Sequence, residues 1–495
     1  DDLQILPLRL FEENSVVLKK FNQKYEYILV DEYQDTNTVQ YRLVKKLAGE
    51  KCNICVVGDD DQGIYSWRGA TVRNILQFEK DYPGAEIVKL EKNYRSTRNI
   101  LHAAHAVIVK NSERAEKELW TDKEHGDKIV VYQARNPRDE AKFVVEKIKQ
   151  LEREGKNAGE ISVLYRINAQ SRSLEEELLK NAIPYRLVGA VRFYERREIK
   201  DILAYLRFFS NPLDDVAFMR IVNVPPRKIG KKSIEELSSF AHNISGGKIG
   251  VGLLILLLWG HSQGVKNWDE YLPGIEVSKD VLKNLGSDAF EKFAQKHEKL
   301  VSLFGRNYDA SMQENVRVLI DEILDSTKYE KWLDDGTDQA RTRQENLYEL
   351  KIVAEQYSEL GPRDSLLAFL SDVALVEQEK KVEHGQDAGD NIITLMTLHS
   401  AKGLEFGTVF MIGMEEGLLP HSRSFTSPSE LEEERRLCYV GITRAKSGLF
   451  MSFAENRRTY GGLADRIPSR FIAEIPEDVI EFTSWNESLS SYSRI

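Results

Sequence analysis

No stretch of this chain is long and apolar enough to cross a bilayer. The longest apolar run, Val251–Trp259, has nine residues, one of them glycine, against the ~20 that a membrane-spanning helix needs. Cysteine is scarce. Three residues, Cys52, Cys55 and Cys438, cannot build a disulfide framework and suit a reducing compartment. Cys52 and Cys55 form a C-x-x-C, a spacing also used for metal or redox chemistry, but no second pair accompanies it. Cys55 opens the apolar run Cys55–Val57, so packing in a core is the expectation. An excess of positive charge is missing too. Lys plus Arg is 69, Asp plus Glu is 79, and the net charge is −10. That argues against non-specific coating of nucleic acid by bulk charge but leaves room for a local basic groove. Internal repeats are absent.

What the chain has is material for several packed cores. Its 495 residues are 41% hydrophobic and 30% charged, a balance that excludes disorder and fibrous structure and fits three or four domains. The first ninety residues alternate helix with short apolar strand: a helix over Leu6–Phe21, a strand at Tyr27–Val30, a helix over Val39–Leu47, and strands at Ile54–Val57 and Ile87–Leu90. Further strands are expected at Ile129–Gln133, Ile161–Tyr165, Tyr185–Val188, Ile392–Thr397 and Thr408–Ile412. Such alternation predicts α/β structure with parallel sheets. From Asn211 to about Gly385 the pattern changes to long amphipathic helices, followed by a Gly/Asp-rich linker, Gly385–Asp390. A helical domain inserted into the second α/β domain accounts for this order. The tail after Pro476 turns Ser/Tyr-rich and is expected to be loosely ordered.

Two carboxylates, Asp31 and Glu32, follow the strand Ile28-Leu29-Val30. Ligands of parallel sheets sit at the carboxyl ends of strands. A nucleotide hydrolase needs one carboxylate there to hold Mg²⁺, usually through water, and a second to orient the attacking water. An acidic strand end is also an ordinary loop start, so the longer run Asp31-Glu32-Tyr33-Gln34-Asp35-Thr36-Asn37 is the more specific signal. Gly230-Lys231-Lys232-Ser233 superficially suggests a phosphate loop, but the position that should carry the first glycine is Pro225.

Six segments, in order, resemble the motifs of the UvrD/Rep/PcrA helicases. They are Val30–Asn37; Val56–Gln62 with Ile64–Ala70; Leu90–Thr97; Arg192–Arg196 with Glu198–Asp201; Leu395–Phe406; and Glu433–Ala445. The resemblance extends from the first residues to about Pro476 and is weakest between Asn243 and Gly385. It implies two RecA-like parallel-sheet motor domains, the first incomplete, with a mainly helical domain inserted in the second. The implied bounds are 1–90 for the first motor domain, 91–210 and 388–476 for the second, 211–387 for the insertion and 477–495 for a tail.

The resemblance also implies roles. Asp31 would hold Mg²⁺ through water and Glu32 would orient the attacking water. Gln62 would sense the γ-phosphate, and Arg95 and Arg444 would reach that phosphate as fingers. Tyr94, Gly403 and Glu405 would line the nucleotide, Tyr94 against adenine and Glu405 near the ribose. Tyr65, Trp67, Arg68, Thr397, His399 and Tyr460 would contact single-stranded DNA by stacking and phosphate contacts. Two departures stand out: Gly63 where the family commonly has serine, and Lys228 in Pro225–Gly230 where it has glycine. The family's G-x-x-x-x-G-K-[ST] loop does not occur in this sequence. The expectation is therefore a partial chain that is not by itself a competent ATPase, from a parent using ATP and Mg²⁺. That parent would be a bacterial-type, cytoplasmic, nucleoid-associated 3′→5′ helicase acting on single strands and single/double-strand junctions, with repair partners the sequence does not name and no membrane. Rival readings are a non-catalytic DNA-binding protein and the motor of a RecB/AddA-like helicase–nuclease, although no nuclease-like carboxylate and lysine cluster follows the last motif.

Overall fold

The expected alternation of strand and helix is realised in a computed structural model that describes residues 2–49, 53–247, 249–285, 287–382, 391–459, 462–465 and 467–486. The chain divides into two units. One comprises residues 1–190, 387–457 and 463–495, and the other comprises residues 191–386 and 458–462.

In the first unit, β1 (Ile28–Val30) and β2 (Ile54–Val56) pair in parallel, Val30 beside Val56. A larger sheet is built from β3 (Ile129–Ala134), β4 (Ile161–Tyr165), β5 (Tyr185–Val188), β6 (Ile393–Thr397), β7 (Phe406–Met411), β8 (Ala445–Ala454) and β9 (Ile480–Ser484). Its strand order is β9-β3-β8-β7-β4-β6-β5, and every pairing is parallel. A parallel sheet is covered by helices on both faces, so its strands read as continuous apolar runs rather than alternating ones. β4 is buried at all five positions. Its Ser162 hydroxyl donates to the Thr394 carbonyl at 3.1 Å. The helix Pro428–Thr443 starts on Ser427 with proline in its first turn and is buried from Glu434 to Thr443. Its charged members are paired: Glu434 with Arg166 at 2.6 Å and Arg435 with Glu474 at 2.9 Å.

Several expectations change. The helix expected over Leu6–Phe21 is two helices, Asp2–Glu13 and Ser15–Lys24, because Asn14 caps the second by accepting from the Val17 N–H. Ile87–Leu90 forms no strand, and Leu90 is 80% exposed. A strand exists only by pairing, and among the described residues β1 and β2 pair only with each other. For the same reason Cys55, expected in a core, is exposed on β2. Cys52 lies outside the described residues. The tail expected to be loose supplies β9, whose Ile480–Ser484 pair with Ile129–Gln133 at the sheet edge. The linker Gly385–Asp390 lies outside the described residues.

The second unit is a helical core. Val251–Ser262 is buried almost all round, which is why its sequence carries an uninterrupted apolar run instead of a stripe. Phe208, Phe218, Phe304 and Tyr205 pack beside it. Phe208 and Tyr205 lie on the helix Arg197–Ser210. Asp201, on the same helix, accepts from the Tyr329 hydroxyl at 2.7 Å and pairs with Arg220 at 2.7 Å. This helix was expected to belong to the second motor domain up to residue 210. Its apolar face instead sits in the helical core, and the boundary lies at Val191. Among the described residues no helix is long and apolar enough to cross a membrane.

Candidate functional site

The carboxyl ends of β1 and β2 lie side by side: the Val57 N–H donates to the Val30 carbonyl at 2.8 Å, and the Tyr33 N–H to the Val57 carbonyl at 3.0 Å. Asp31 and Glu32 therefore stand next to Gly58–Gln62. Glu32 sits in the left-handed region (φ 51), an uncommon conformation for a residue with a Cβ and one found at functional turns. Its N–H donates to Asp31 Oδ1 at 2.9 Å, and its Oε2 accepts from Gln34 Nε2 at 2.5 Å.

Lys402, in the turn after β6, reaches into this corner. Its ammonium donates to Asp35 Oδ2 at 2.5 Å and to the Gln62 carbonyl at 2.7 Å, and stands 3.5 Å from Glu32 Oε2. Burial pushes the Asp35 carboxyl up, and Lys402 pulls it back. Among the described residues no protein cation pairs with Asp31, whereas Asp35, Asp59, Asp60 and Asp61 each have at least one. Asp31 is thus the carboxylate of this corner whose donor atoms fit a divalent cation.

Arg444 is 1% exposed. Its guanidinium donates to the Val440 and Leu404 carbonyls at 3.0 and 3.1 Å, to Thr443 Oγ1 at 3.1 Å and to Gln62 Oε1 at 3.3 Å. Burial, with Arg95 beside it, pulls its pKa down to about 10, so it stays a cation at neutral pH. Arg95 donates to Glu405 Oε2 at 2.7 Å and to the Thr443 carbonyl at 3.3 Å. Glu405 also pairs with Lys446 at 3.0 Å, and these partners hold its carboxyl below the usual range. Two guanidiniums therefore lie close together, and Arg444 is the one that reaches Gln62. Tyr94 stands 75% exposed beside them in sequence. Gly403 adopts φ 82 with open space where a Cβ would point.

Five residues beyond Gln62 the character changes from charged to aromatic. Trp67 is 52% exposed, with Arg68 over its ring at 4.4 Å and over the Tyr65 ring at 5.1 Å. The Trp67 and His399 rings meet edge to face at 6.4 Å, and the Tyr65 hydroxyl donates to the His399 carbonyl at 3.3 Å. Burial, then Arg166 and Arg68, push the His399 imidazole down to about 3, so it is neutral at physiological pH. Thr397 Oγ1 lies 2.9 Å from Ser400 Oγ and accepts from the Ser400 N–H, fixing the turn that carries His399. Tyr460 lies outside the described residues.

The geometry brings together Glu32, Gln62 and Arg444 in one corner, Arg95 and Glu405 next to it, and Tyr65, Trp67, Arg68 and His399 in one cluster. Sequence reasoning passed over Lys402, although it stands inside Ala401-Lys402-Gly403, and also the segment Arg114–Lys117, whose cations meet Asp59, Asp60 and Asp61. It also passed over Glu433, which accepts from the Ser66 N–H at 3.0 Å. Asp59, Asp60 and Asp61 have carboxylate oxygens within 4.8 Å of one another, but Lys117 Nζ already lies 2.7 Å from Asp60 and Arg114 2.9 Å from Asp61.

Comparison with known proteins agrees with the motif order. Residues 88–456 match the UvrD-like helicase C-terminal domain, and residues 1–83 match the UvrD/REP helicase N-terminal domain. Over 487 residues the chain is 45% identical to the ATP-dependent DNA helicase PcrA of Bacillus subtilis. The PcrA proteins of Staphylococcus epidermidis and Staphylococcus aureus are 44% and 43% identical. Each alignment covers 97% of this chain and 62% of the relative, so the chain spans less than two thirds of the length of these curated relatives. With a family model matched across most of its length, the chain belongs to the UvrD-like helicase family.

Proposed function

We propose that this chain carries the part of an ATP-dependent 3′→5′ DNA helicase that couples ATP hydrolysis to movement along single-stranded DNA, in the service of DNA repair or replication. The observation that carries the reading is the position of Gln62. Its side chain touches Arg444, its carbonyl takes Lys402, and the same short segment runs on into Tyr65, Trp67 and Arg68. One loop therefore joins a charged corner to an aromatic cluster.

In this reading ATP lies against the acidic corner. Asp31 would hold Mg²⁺, which when bound would supply positive charge at the phosphate oxygens. Glu32, kept near an ammonium but not locked to it, orients and deprotonates the attacking water. Arg444 and Arg95 stabilise charge gathering on the γ-phosphate oxygens, and burial of Arg444 strengthens that effect by excluding water. Tyr94 stacks on the base, and Gly403 and Glu405 face the sugar. Loss of the γ-phosphate changes what Arg444 and Gln62 bind, and the change reaches the aromatic cluster through the four residues between Gln62 and Trp67. There Trp67 and Tyr65 stack on bases, Arg68 meets the phosphate backbone, and Thr397 and His399 set the strand's path. His399 acts as a neutral hydrogen-bonding group, since its imidazole stays unprotonated. Junctions of single and double strand are the proposed working substrate, in a bacterial cytoplasm at the nucleoid.

The test uses the full-length protein. Arg444→Ala should lower DNA-stimulated ATP turnover by about 10³-fold or more, the range of arginine fingers, and abolish unwinding of a 3′-tailed duplex while single-strand binding survives. Turnover within tenfold of wild type would refute the assignment.

A further inference from the structure

The proposed function leaves unexplained a second link to the Gln62 loop. Gln62 Nε2 donates to Asp59 Oδ2 at 2.7 Å, and Gln62 Oε1 accepts from Arg444 Nη2 at 3.3 Å. The two contacts fix opposite ends of one amide. A carboxylate only accepts and a guanidinium only donates, so Asp59 takes the nitrogen and leaves the oxygen for Arg444. This holds only while Asp59 is aimed at the amide. Its other oxygen, Oδ1, accepts from the Asp61 N–H at 3.1 Å and from the Lys117 ammonium.

Lys117 belongs to a short segment that grips the whole aspartate run. Lys117 Nζ also reaches Asp60 Oδ1 at 2.7 Å and Asp61 Oδ2 at 3.1 Å. The Ala115 N–H donates to Asp60 Oδ2 at 2.7 Å, and Arg114 binds both oxygens of Asp61, at 3.1 and 2.9 Å. Three adjacent carboxylates repel one another, and this segment sets two cations among them. Arg114 is committed to Asp61, so Lys117 is the one cation of the pair on Asp59.

We propose that Lys117 is a positioning residue for ATP hydrolysis: by holding Asp59 in place, it keeps the Gln62 amide turned with its oxygen toward Arg444. The proposal rests on the reading of this corner as the hydrolysis site. Without Lys117, Asp59 turns outward, away from its like-charged neighbours. The Gln62 amide then loses the acceptor that fixes its nitrogen and is free to flip, which would set an NH₂ against the Arg444 guanidinium.

The experiment is a double-mutant cycle in the full-length protein, with poly(dT)-stimulated ATP hydrolysis as readout. Lys117→Met should lower kcat about tenfold with the KM for ATP within about threefold, because ground-state binding does not run through this contact. Lys117→Arg, which keeps the charge, should restore most of the rate. In a Gln62→Ala background, Lys117→Met should change kcat by less than about twofold, since the two residues act through one contact. Equal losses in both backgrounds would overturn the proposal alone and make Lys117 a strut of the fold. Wild type and Gln62→Ala hydrolysing at equal rates would overturn the functional reading with it. Lys117→Gln runs in parallel at a temperature below both melts. If neither neutral variant folds, the positioning role is likewise overturned.

Discussion

Arg457 offers the sharpest test of how the larger sheet is held. It is buried between two carboxylates, Glu140 and Glu415. Its Nε lies 3.0 Å from both oxygens of Glu415, and its Nη2 meets Glu140. Glu140 Oε1 also accepts from the Gly413 N–H at 2.9 Å and from Ser452 at 2.8 Å, and Glu415 Oε1 accepts from the Ala454 N–H at 2.8 Å. The trio thus ties the helix Pro137–Arg153 to the ends of β7 and β8. Arg457→Met keeps the apolar bulk and leaves two buried carboxylates facing each other. Breaking a buried pair costs about 3–5 kcal/mol. At roughly 2–4 °C per kcal/mol for a unit of this size, the melting temperature should fall by roughly 6–20 °C.

The loss must also depend on pH. Burial and the neighbouring Glu140 already push Glu415 up, and Arg457 holds it down. Without the arginine its folded-state pKa rises further above the unfolded ~4.3. The folded state then binds more protons than the unfolded one, so the variant loses stability as pH rises through that interval and regains it in acid. The deficit should be smaller at pH 5 than at pH 8. Adding Glu140→Gln and Glu415→Gln, which keep the acceptors for the three donors but remove both charges, should recover much of the loss. Thermal melts report the shift, and hydrogen exchange at Ile129–Ala134 and Ala445–Ala454 identifies the unit that opens. A melt within 2 °C of wild type, or a deficit that grows toward acid, would refute the reasoning.

Two further outcomes follow from the candidate site. Trp67→Ala removes a half-exposed stacking surface worth about 1–3 kcal/mol per base, so anisotropy with a labelled oligonucleotide should show binding weakened by roughly 5- to 150-fold; a change below twofold would rule Trp67 out as a base platform. His399 is held well below its unfolded pKa, so the unfolded state binds the extra proton first and wild type should lose stability as pH falls through ~6.5. His399→Gln should lose about 1–2 kcal/mol less between pH 7 and pH 5, and parallel pH profiles of the two proteins would contradict the buried neutral imidazole.

Much of this molecule was legible in the sequence because its signals are local. β4 lies where a nearly continuous apolar run puts it, since a strand buried on both faces needs such a run whatever its neighbours. Asp31, Glu32 and Gln62 follow strands in sequence, so their place at strand ends needed no tertiary information. The order of motifs sufficed for the family, whereas the helical unit begins at Val191, ahead of the change of pattern after Asn211.

What the sequence could not decide is which distant groups meet. Lys402 lies 367 positions from Asp35, and Lys117 lies 58 from Asp59; no spacing rule links residues brought together by a fold. The same holds for Arg197–Ser210, an amphipathic helix whose pattern says that one face is buried but not in which core, and for Ile480–Ser484, which became a strand only because the edge of β3 was there to pair with. Cys55 shows the converse: its apolar run predicted burial, and the lack of a further strand beside it among the described residues left it exposed. Local patterns determined the elements and their chemistry, because hydrogen bonding and side-chain period act within a few residues. Tertiary structure alone decided the partners, because burial and charge pairing are properties of the surroundings and not of the residue.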